Sequence, residues 1–458
     1  MTELHDLVIV GAGPAGLALA YCLRDMDLDI QILEATDDIG GRTQSLELSG
    51  APVNTGAMFI YRGTRAETLA RELGQATVPF HPQTYGIHID GTTSVARTNA
   101  GVVEGLPLSP ASKASLLAFM DSLAQEYQAN VSDGTIANSA ADLAYETVAD
   151  RLEGLPGPVR SIIESAVRGG SVGDASQLSA KYALRYLASY IAHEDNNRLY
   201  PLNGMQELPR ALAANAGART AVNTGVCVNR VQDRGEYYEV LASGGGQARV
   251  LRARHVVVTV PAPKVAAICP DLPDWKCEAL QAAQTPGSST LTIAVNVEGL
   301  PDLLEWSFVS TVGKRFDAII NPMPGVAPED GIVRFTCYGN SAGFIPGFQD
   351  DKCEIQSWID DFLEVAPQLR NRVVGVAAGT WEHCFSVLSP GRHKALPHLQ
   401  RRIGNLHFAG DYTSETAGSH GAYDEAYRVA EEIRSGLAAV LRKPGDPYAR
   451  RMRGLEFQ

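Results

Sequence analysis

The first apolar run of the chain predicts a buried strand, a tight turn and a helix. Residues 7–10 are all aliphatic, which is the pattern of a strand covered on both faces. Glycines follow, and apolar residues then recur at helical spacing from Leu17 to Leu23. A second strand is predicted at 30–33, and it ends at Glu34. This order predicts a βαβ unit.

Later segments change between helical and extended patterns. Residues 110–195 are predicted to be mostly helical, whereas residues 220–260 and 289–340 are predicted to hold strands. Residues 254–261 form a buried apolar strand that ends in a proline, and 406–411 predict a strand and a turn. The last helix has one apolar face, with residues three or four positions apart: Ala422, Ala426, Val429, Ile433 and Leu437.

Composition and charge narrow the class of protein. The chain has 458 residues, of which 45% are hydrophobic, so two or three domains with sizeable cores are expected. The net charge of −13 disfavours nucleic-acid and anionic-membrane partners. Three arginines near the C-terminus, Arg450, Arg451 and Arg453, are expected to be a solvated tail. No leader peptide and no membrane-spanning stretch are expected from the apolar pattern.

Cysteine and histidine usage points to a reducing compartment without a metal centre. The seven cysteines are an odd number with no CxxC pair, which favours reduced thiols and a cytoplasmic location. The ten histidines show no metal-ligand spacing. We therefore expect no metal site.

The glycine turn carries a dinucleotide-binding pattern. Gly11, Gly13 and Gly16 form GxGxxG between a strand and a helix, and Glu34 follows Gly11 by 34 − 11 = 23 positions. Gly11 permits the turn, Gly13 lets the backbone approach a pyrophosphate, and Gly16 lets helix and strand pack closely. The helix N-terminus presents N–H groups to the anion. A ribose-binding Glu34 favours FAD or NAD over NADP.

A second glycine pair follows the acid. Gly40, Gly41, Arg42 and Thr43 suit a second phosphate contact, with Arg42 as a charge-assisted donor. A solvated surface arginine is an equal alternative from these residues alone.

At this point the chain resembles the flavin monoamine oxidase family, which contains monoamine, polyamine and L-amino-acid oxidases. The resemblance lies in blocks spread over nearly the whole chain: GxGxxG with Glu34, Gly40–Arg42, Asn54–Met58, Tyr200–Met205, a valine at Val226 or Val228, Val258–Pro261, and Phe408–Asp411 with Gly421-Ala422. The resemblance implies an α/β fold, in which a Rossmann-type FAD-binding domain is interleaved with a substrate-binding domain of mixed sheet and helices. It also implies FAD, and the family alone suggests a homodimer.

Domain bounds and cofactor contacts follow from the resemblance. The FAD domain is expected at 1–80, 200–290 and 375–445, the substrate domain at 81–199 and 291–374, and a tail at 446–458. The expected cofactor-binding residues are Gly11, Gly13, Ala15, Gly16, Glu34, Ala35, Gly41, Arg42, Thr43, Gly56, Ala57, Met58, Val226 or Val228, Gly410, Asp411, Ser419, His420 and Ala422.

The C-terminal block has a physical rationale. Gly410 would let the backbone approach the flavin phosphate or ribityl chain, and Asp411 would bond the ribityl chain or cap the turn. A helix beginning near Gly421 would place its N-terminus at the pyrimidine side of the ring, where negative charge appears on reduction. His420 lies near the ring or on the surface.

Two departures concern residues that these oxidases use beside the flavin. A lysine usually stands on a substrate-domain strand, and that position falls here on Leu291 or Thr292. Monoamine oxidases place two aromatic rings around the substrate. One position falls on Gly418 and the other near Phe385, so at most half of that cage is expected.

Two further departures concern the carboxylate anchor and the flavin link. L-amino-acid oxidases place an arginine after Gly-x-Met, where this chain has Phe59; Arg62 or Arg65 could replace it, or be solvated. No cysteine suited to a covalent flavin link is found near Tyr412.

These patterns predict an FAD-dependent oxidoreductase acting on a small-molecule substrate. We expect hydride transfer from a carbon next to nitrogen to flavin N5, with oxygen as acceptor, on a large or specialised metabolite. The alternatives are a carbon-centred desaturase, isomerase or oxidative cyclase, and a non-catalytic flavoprotein. The residues expected to line the pocket are Phe59, Tyr61, Tyr182, Met205, Tyr338, Phe385 and Tyr412.

Overall fold

The structure is a computed structural model that describes residues 3–132, 135–136, 144–193, 197–339 and 343–441. The expected tail at 446–458, with its three arginines, lies outside the described residues.

Strands and helices are numbered in chain order. The strands are β1 (Leu4–Val10), β2 (Ile30–Leu33), β3 (Ser45–Leu48), β4 (Ala51–Asn54), β5 (Ile60–Tyr61), β6 (Thr77–Pro79), β7 (Thr84–Ile89), β8 (Thr92–Ala96), β9 (Val131–Ser132), β10 (Thr135–Ile136), β11 (Arg198–Pro201), β12 (Thr220–Asn223), β13 (Cys227–Asp233), β14 (Tyr238–Gly244), β15 (Gln247–Val258), β16 (Ser288–Asn296), β17 (Trp306–Thr311), β18 (Ala318–Ile320), β19 (Ile332–Tyr338), β20 (Val373–Trp381) and β21 (Leu406–Phe408). The helices are α1 (Pro14–Cys22), α2 (Arg65–Glu72), α3 (Asn99–Glu104), α4 (Pro110–Asn130), α5 (Val148–Arg151), α6 (Gly157–Ser171), α7 (Ala180–Leu187), α8 (Glu207–Ala214), α9 (Ala262–Ile268), α10 (Asp274–Ala282), α11 (Pro301–Leu304), α12 (Lys352–Val365), α13 (Arg392–Gln400) and α14 (Ser419–Leu441).

The first sheet is built around the predicted βαβ unit. Its order is β12-β2-β1-β15-β14-β13, with β21 also pairing β15, and the strands from β12 to β15 run parallel. One face packs on α1, α8 and α14, and the other packs on α9 and α10. The strand predicted at 254–261 is the second half of β15, which begins at Gln247 because its first half forms an antiparallel hairpin with β14. The parallel, doubly covered sheet explains why β1 is a continuous apolar run.

The second sheet is mostly antiparallel. Its order is β20-β16-β19-β18-β17-β7-β8, and its described parallel pair is β17 with β7. Helices α4, α6 and α7 contribute to the core on one face, and α12 contributes to the core on the other. The stretch predicted to be helical, 110–195, supplies α4 to α7.

The chain crosses between the two sheets four times. Strands of the first sheet come from 4–33, 220–258 and 406–408, and those of the second come from 84–96 and 288–381. Residues 288–290 and 375–381, which the sequence assigned to the FAD domain, are paired within the second sheet, because β16 and β20 run side by side. The division into two domains itself stays a prediction.

The C-terminal helix follows its predicted face. Ala422, Ala426, Val429, Ile433 and Leu437 are all buried in the core beside α1. The helix begins at Ser419, two residues before the predicted Gly421. Within the described ranges, no helix is both long and apolar enough to span a membrane.

Candidate active site

The glycine turn has the shape that a pyrophosphate-binding loop needs. Gly11 has a φ of +107°, and a Cβ there would lie 2.7 Å from Oγ1 of Thr259. A Cβ on Gly16 would lie 2.1 Å from the carbonyl oxygen of Gly11. Nothing lies within 4 Å of a Cβ built on Gly13, so that backbone faces open space. Helix α1 begins next to it with no side-chain cap, which leaves N–H groups such as that of Ala15 for an anion.

Glu34 closes the turn from the other side. Its Oε2 accepts a hydrogen bond from the Ala12 N–H at 2.8 Å, and its Oε1 accepts from the Thr36 N–H and hydroxyl at 3.0 and 2.8 Å. Carboxylate oxygens accept more than one bond each, so a ribose hydroxyl can still bond Glu34. The Val226 N–H donates to the Glu34 carbonyl at 2.8 Å, which places Val226 directly beside Glu34. The open Gly13 backbone, the uncapped helix and Glu34 together fit a dinucleotide such as FAD.

Arg42 lies opposite Asp411, which comes from the far end of the chain. The guanidinium forms a two-pronged ion pair, with Nη2 at 2.8 Å from Oδ1 and Nη1 at 3.2 Å from Oδ2. Nη1 also donates to the carbonyls of His383 and Cys384, and the Ser386 N–H donates to Asp411. The sequence offered a phosphate contact or a solvated arginine, and missed this third arrangement, a partly buried ion pair with Asp411.

The ion pair sets the charge of both groups. Burial alone would raise the pKa of Asp411, but the Arg42 charge and the hydrogen bonds lower it below the ordinary value. Burial would likewise lower the pKa of Arg42, and Asp411 raises it. Both groups are therefore charged and mutually neutralised.

A cavity with an open volume of about 1100 Å³ adjoins this pair. Its aromatic lining comes from the second sheet, from β5, from α7 with the turn that continues it, and from loops: Phe59, Tyr61, Tyr186, Tyr190, Tyr338, Trp381 and Phe385. Small residues also line it: Gly56, Ala57, Gly169, Gly170, Gly418 and Ala422. Such a concave, mostly apolar cavity with few polar groups is typical of a small-molecule site.

Most of the residues predicted for the flavin ring end line this cavity. They are Arg42, Thr43, Gly56, Ala57, Met58, Asp411, Ser419, His420 and Ala422. Of the predicted pocket residues, Phe59, Tyr61, Tyr338 and Phe385 also line it. Gly41 lies between the glycine turn and the cavity, because a Cβ on it would be 3.5 Å from the Gly13 Cα and the next residue, Arg42, lines the cavity. The cofactor contacts of all these residues stay predictions.

Two pocket predictions, Met205 and Tyr412, are corrected, and the position of Tyr182 is refined. Met205 is buried in the core under α1, and Tyr412 is buried in the core behind the first sheet, because both follow tight turns that direct them inward. Tyr182 lines a smaller neighbouring cavity with Tyr61 and His420. Ala35 is exposed, and Val228 is buried on β13. Gly410 is extended and packs against the Tyr412 ring.

Strand β16 presents Thr290 to the cavity rather than Leu291 or Thr292, the two positions that the family resemblance indicated. Strand alternation turns Leu291 into the core behind the sheet, while Thr290 lines the cavity. Its hydroxyl donates to the Thr55 carbonyl at 2.7 Å, and the Trp381 indole N–H donates to the same oxygen at 2.8 Å. No lysine is on the described lining, so the departure from the family at this position remains.

Several lining residues were missed. Tyr186 and Tyr190 stand four apart on α7 and the π-helical turn that continues it, and with Tyr182 they form a period-four row that the sequence shows. Trp381 and Cys384 had no local signal, because only the pairing of β20 brings them to the cavity. The sequence showed no cysteine suited to a covalent flavin link near Tyr412. Cys384 lines this cavity from another segment, and burial raises the pKa of its thiol to about 11.

His420 is the titratable group that faces the cavity at the start of α14. Its ring lies 5.0 Å from that of Tyr61. Burial, and then the charge of Arg185, lower the pKa of His420 to about 3. The imidazole is therefore neutral at physiological pH. Among the described lining residues, Asp411 is the one carboxylate, and Arg42 already pairs with it.

Comparison with known proteins assigns the family. A model for flavin-containing amine oxidoreductases matches residues 14–434. A probable flavin-containing monoamine oxidase A from Dictyostelium discoideum is 23% identical, in a match that covers 95% of this chain and 99% of the relative. Polyamine oxidase 2 from Arabidopsis thaliana is 22% identical, in a match that covers 94% of this chain and 89% of the relative. Putrescine oxidase bound to putrescine superposes with a TM-score of 0.73 at 20% identity, over 95% of this chain and 100% of the other. Cyclohexylamine oxidase from Brevibacterium oxydans IH-35A superposes with a TM-score of 0.73 at 21% identity, again over 95% of this chain and 100% of the other. These structural similarities confirm the predicted fold. The chain belongs to the flavin-containing amine oxidoreductases and is an FAD-dependent oxidoreductase.

Proposed function

We propose that this protein oxidises the C–N bond of an amine or amide whose reacting nitrogen is uncharged when bound. The product is an imine or iminium, and oxygen is the electron acceptor. The observation that carries this proposal is the composition of the cavity lining. The lining has many aromatic rings, and among the described lining residues the one carboxylate is already paired.

Among the described lining residues, no free counter-ion is left for an ammonium group. Asp411 is engaged with Arg42 through two hydrogen bonds, and the lowered pKa of Asp411 keeps it committed to that pair. Burying an unpaired cation costs several kcal/mol, of the order of 3–5 when one partner of a buried pair is missing. A neutral amine or amide avoids this cost.

The residues around the cavity hold and orient rather than exchange protons. FAD supplies the hydride acceptor when it is bound. The N-terminus of α14, at Ser419 and His420, directs its dipole into the cavity, where negative charge on a reduced ring would be stabilised. The Tyr338 hydroxyl donates to the Gly56 carbonyl at 3.0 Å and fixes the loop that lines the cavity floor. The aromatic walls exclude water from the reacting carbon.

The width of the cavity favours a bulky substrate. Gly169, Gly170 and Gly418 line it without side chains, and its open volume is about 1100 Å³. A Cβ built on Gly418 would lie 3.2 Å from the Phe385 ring. One of the two aromatic positions that monoamine oxidases use is therefore occupied by a ring, and the other is a glycine. This shape supports a large or specialised metabolite.

The relatives favour nitrogen chemistry over carbon-centred chemistry. Their names refer to monoamines, polyamines, putrescine and cyclohexylamine, which are all nitrogen compounds. No lysine lies beside Thr290 among the described lining residues, which distinguishes this cavity from the family pattern. This difference does not change the type of reaction that we propose.

An anaerobic bleaching assay tests the proposal. Flavin-loaded protein is mixed with primary, secondary and cyclic amines, amino acids and N-acyl compounds, and the visible flavin band is followed. Bleaching by a nitrogen compound, with peroxide and a carbonyl product formed in air, is expected. If dithionite reduces the flavin but no nitrogen compound does, C–N oxidation is wrong.

The pH dependence of kcat/KM gives a second test. Because the pKa of His420 is lowered to about 3 and that of Cys384 is raised to about 11, neither titrates between pH 5 and 9. For a simple amine, kcat/KM should rise with pH as the free base increases, up to the pKa of the amine itself. An inflection that stays at one pH for amines of different pKa would point to a protein group and contradict the proposal.

A further inference from the structure

Arg185 carries a charge that has no counter-ion, and it lies beside the main cavity without lining it. It stands in the last turn of α7, next to a side cavity with an open volume of about 430 Å³ and an outer cavity of about 820 Å³. Among the residues that the structure describes, no carboxylate forms an ion pair with it, and its Nε and Nη2 are buried without a hydrogen-bond acceptor. Because an arginine side chain stays protonated in proteins, this position holds a permanent positive charge.

Two features of the fold make this charge tolerable. The carbonyls in the last turn of a helix carry partial negative charge, which favours a cation at that end of α7. The guanidinium carbon of Arg185 also lies 4.9 Å from the centre of the Tyr61 ring, which is within the range of a cation–π interaction. Neither feature neutralises the charge. The field of Arg185 therefore extends into its surroundings, where the low dielectric constant of the protein keeps it strong.

Three neighbours of Arg185 form part of the main-cavity lining. Tyr61, Tyr186 and His420 line both the main cavity and the side cavity that Arg185 lines. Burial lowers the pKa of His420, the charge of Arg185 lowers it further, and the opposing effect of Asp411 is smaller. The charge of Arg185 therefore reaches groups that face the main cavity. It acts on a ligand there through its field and needs no contact.

The other charged groups around the outer cavity leave the charge of Arg185 uncompensated. Arg62 and Arg65, which the sequence offered as carboxylate anchors, line that cavity and are exposed. Asp424 is the carboxylate on its described lining. Burial raises the pKa of Asp424, and the cation that opposes this shift is Arg65. Since solvent and salt screen exposed charges more than buried ones, Arg185 is the cation whose field is best preserved.

We propose that Arg185 is a specificity-determining residue whose charge disfavours ammonium ions in the main cavity, so that an amine binds there as its uncharged base. This inference rests on the proposed C–N oxidation and deepens it by naming the residue that selects the protonation state. Aromatic rings alone would attract a cation. Two like charges about 10 Å apart in a protein-like medium repel enough to weaken binding roughly tenfold, which reverses that preference.

A cation and its uncharged isostere test the inference. Benzyltrimethylammonium and neopentylbenzene have the same shape and differ in one atom, a charged nitrogen in place of a carbon. Each is titrated into oxidised, flavin-loaded protein, the visible flavin band is followed, and the Kd of the cation is divided by that of the isostere. Arg185→Met should lower this ratio about tenfold or more. Arg185→Lys keeps the charge and should leave the ratio within about threefold of the parent.

The matched control is Arg62→Met, because Arg62 lines the outer cavity but is exposed and screened. Its ratio should equal that of the parent. Flavin content and melting temperature verify that each variant is folded, and Arg185→Gln serves as a second uncharged variant.

The pH profile of kcat gives a kinetic readout of the same charge. In the parent, Arg185 lowers the pKa of the bound amine, so the rise of kcat with pH should have its inflection below the pKa of the free amine. In Arg185→Met this inflection should move up by about one pH unit, which corresponds to a tenfold change in binding of the ammonium form. Arg185→Lys should keep the inflection of the parent.

The outcomes distinguish the two proposals. If amines bleach the flavin but the ratio in Arg185→Met and Arg185→Gln equals that of the parent, the Arg185 inference is overturned and C–N oxidation stands. The same holds if Arg185→Lys changes the ratio as much as Arg185→Met, because shape and not charge would then decide. If the ratio falls as expected while no nitrogen compound bleaches the flavin, the charge selectivity stands and C–N oxidation fails.

Discussion

At the scale of single residues, the Arg42–Asp411 pair joins two segments that are 369 positions apart. The sequence placed both residues near the cofactor, but it could not show that they bond each other, because their motifs lie at opposite ends of the chain. Buried ion pairs are costly to break, since the remaining charge has lost both water and its partner.

Replacing one partner of this pair should be damaging. We expect Asp411→Asn to lower the free energy of unfolding by about 3–5 kcal/mol and to reduce the flavin bound per protein. Urea unfolding and the absorbance ratio of flavin to protein measure both effects. The surface pair of Glu431 with Arg434 supplies the control, and Glu431→Gln should cost about 1 kcal/mol or less. Equal costs for the two variants would refute the structural role of the buried pair.

Lys276 is a second buried charge, far from the cavity. Its ammonium donates to the last carbonyls of α13, those of His398 and Leu399, at 2.8 Å each, and it lies 3.7 Å from the centre of the Phe408 ring. Burial, followed by the charge of Arg428, lowers the pKa of Lys276 to about 7 from an ordinary 10.5.

The lowered pKa makes stability depend on pH above neutrality. Between pH 7 and 10.5 the unfolded chain holds more protons at Lys276 than the folded one, so this residue makes stability rise with pH there. The slope contributed is at most about 1.4 kcal/mol per pH unit. Urea unfolding of Lys276→Met across this range should lack that contribution relative to the parent. The exposed Lys264→Met is the control, and equal slopes in both variants would contradict the shift.

At the scale of elements, the loop after β4 is held against the glycine turn that contains Arg42. The Ala57 N–H donates to the Arg42 carbonyl at 2.9 Å, and a Cβ on Gly56 would lie only 2.1 Å from the same oxygen. The obstacle is backbone, so it cannot move aside as a side chain could. The two loops therefore define the cavity floor together.

A single methyl group should disturb this floor. We predict that Gly56→Ala displaces the loop, lowers flavin content several-fold and destabilises the protein by about 1–3 kcal/mol through overpacking. Gly436 in α14 has nothing within 4 Å of a built Cβ. Gly436→Ala should therefore be neutral, or stabilising by about 0.5–1 kcal/mol. Flavin absorbance and thermal unfolding report on both variants, and a fully loaded Gly56→Ala would be evidence against the close contact.

Local patterns predicted elements well where periodicity and turn chemistry agree. The βαβ unit, the buried half of β15 and the apolar face of α14 follow directly from residue spacing. Thr290 and Trp381 show the limit of such reasoning. Which residue of β16 faces the cavity depends on register with β20, and a shift of one residue exchanges the two faces.

At the scale of the whole molecule, the cavity is lined from both sheets. Thr290 and Trp381 come from the second sheet, and Arg42 and Asp411 from loops around the first. The family resemblance gave this interleaved arrangement, which composition and periodicity alone do not determine. The substrate side could not be fully predicted in the same way, because Tyr186 and Tyr190 come from α7 and the turn that continues it, and distant contacts set the packing of that helix.

Cofactor removal should affect both sheets at once. A ligand that binds only the folded state stabilises it by about 2.7 kcal/mol at a free concentration of 100 times its Kd. In scanning calorimetry of deflavinated protein, we expect one transition whose Tm rises with added FAD. AMP, which lacks the isoalloxazine ring, is the control and should raise Tm less. Two transitions of which FAD shifts only one would show that the sheets unfold separately.

The packing of α1 on α14 has a consequence for synthesis. The first helix of the chain is covered by the last described one, and β1 lies between β2 and β15, whose paired residues end at Val258. The βαβ unit of residues 4–33 therefore leaves the ribosome long before α14 does, and it stays half-covered until residues 419–441 have been made. Its apolar surface must be protected for tens of seconds, since elongation proceeds at about 5–20 residues per second. We expect that slowing translation between residues 33 and 419 increases aggregation and lowers the yield of flavin-loaded protein.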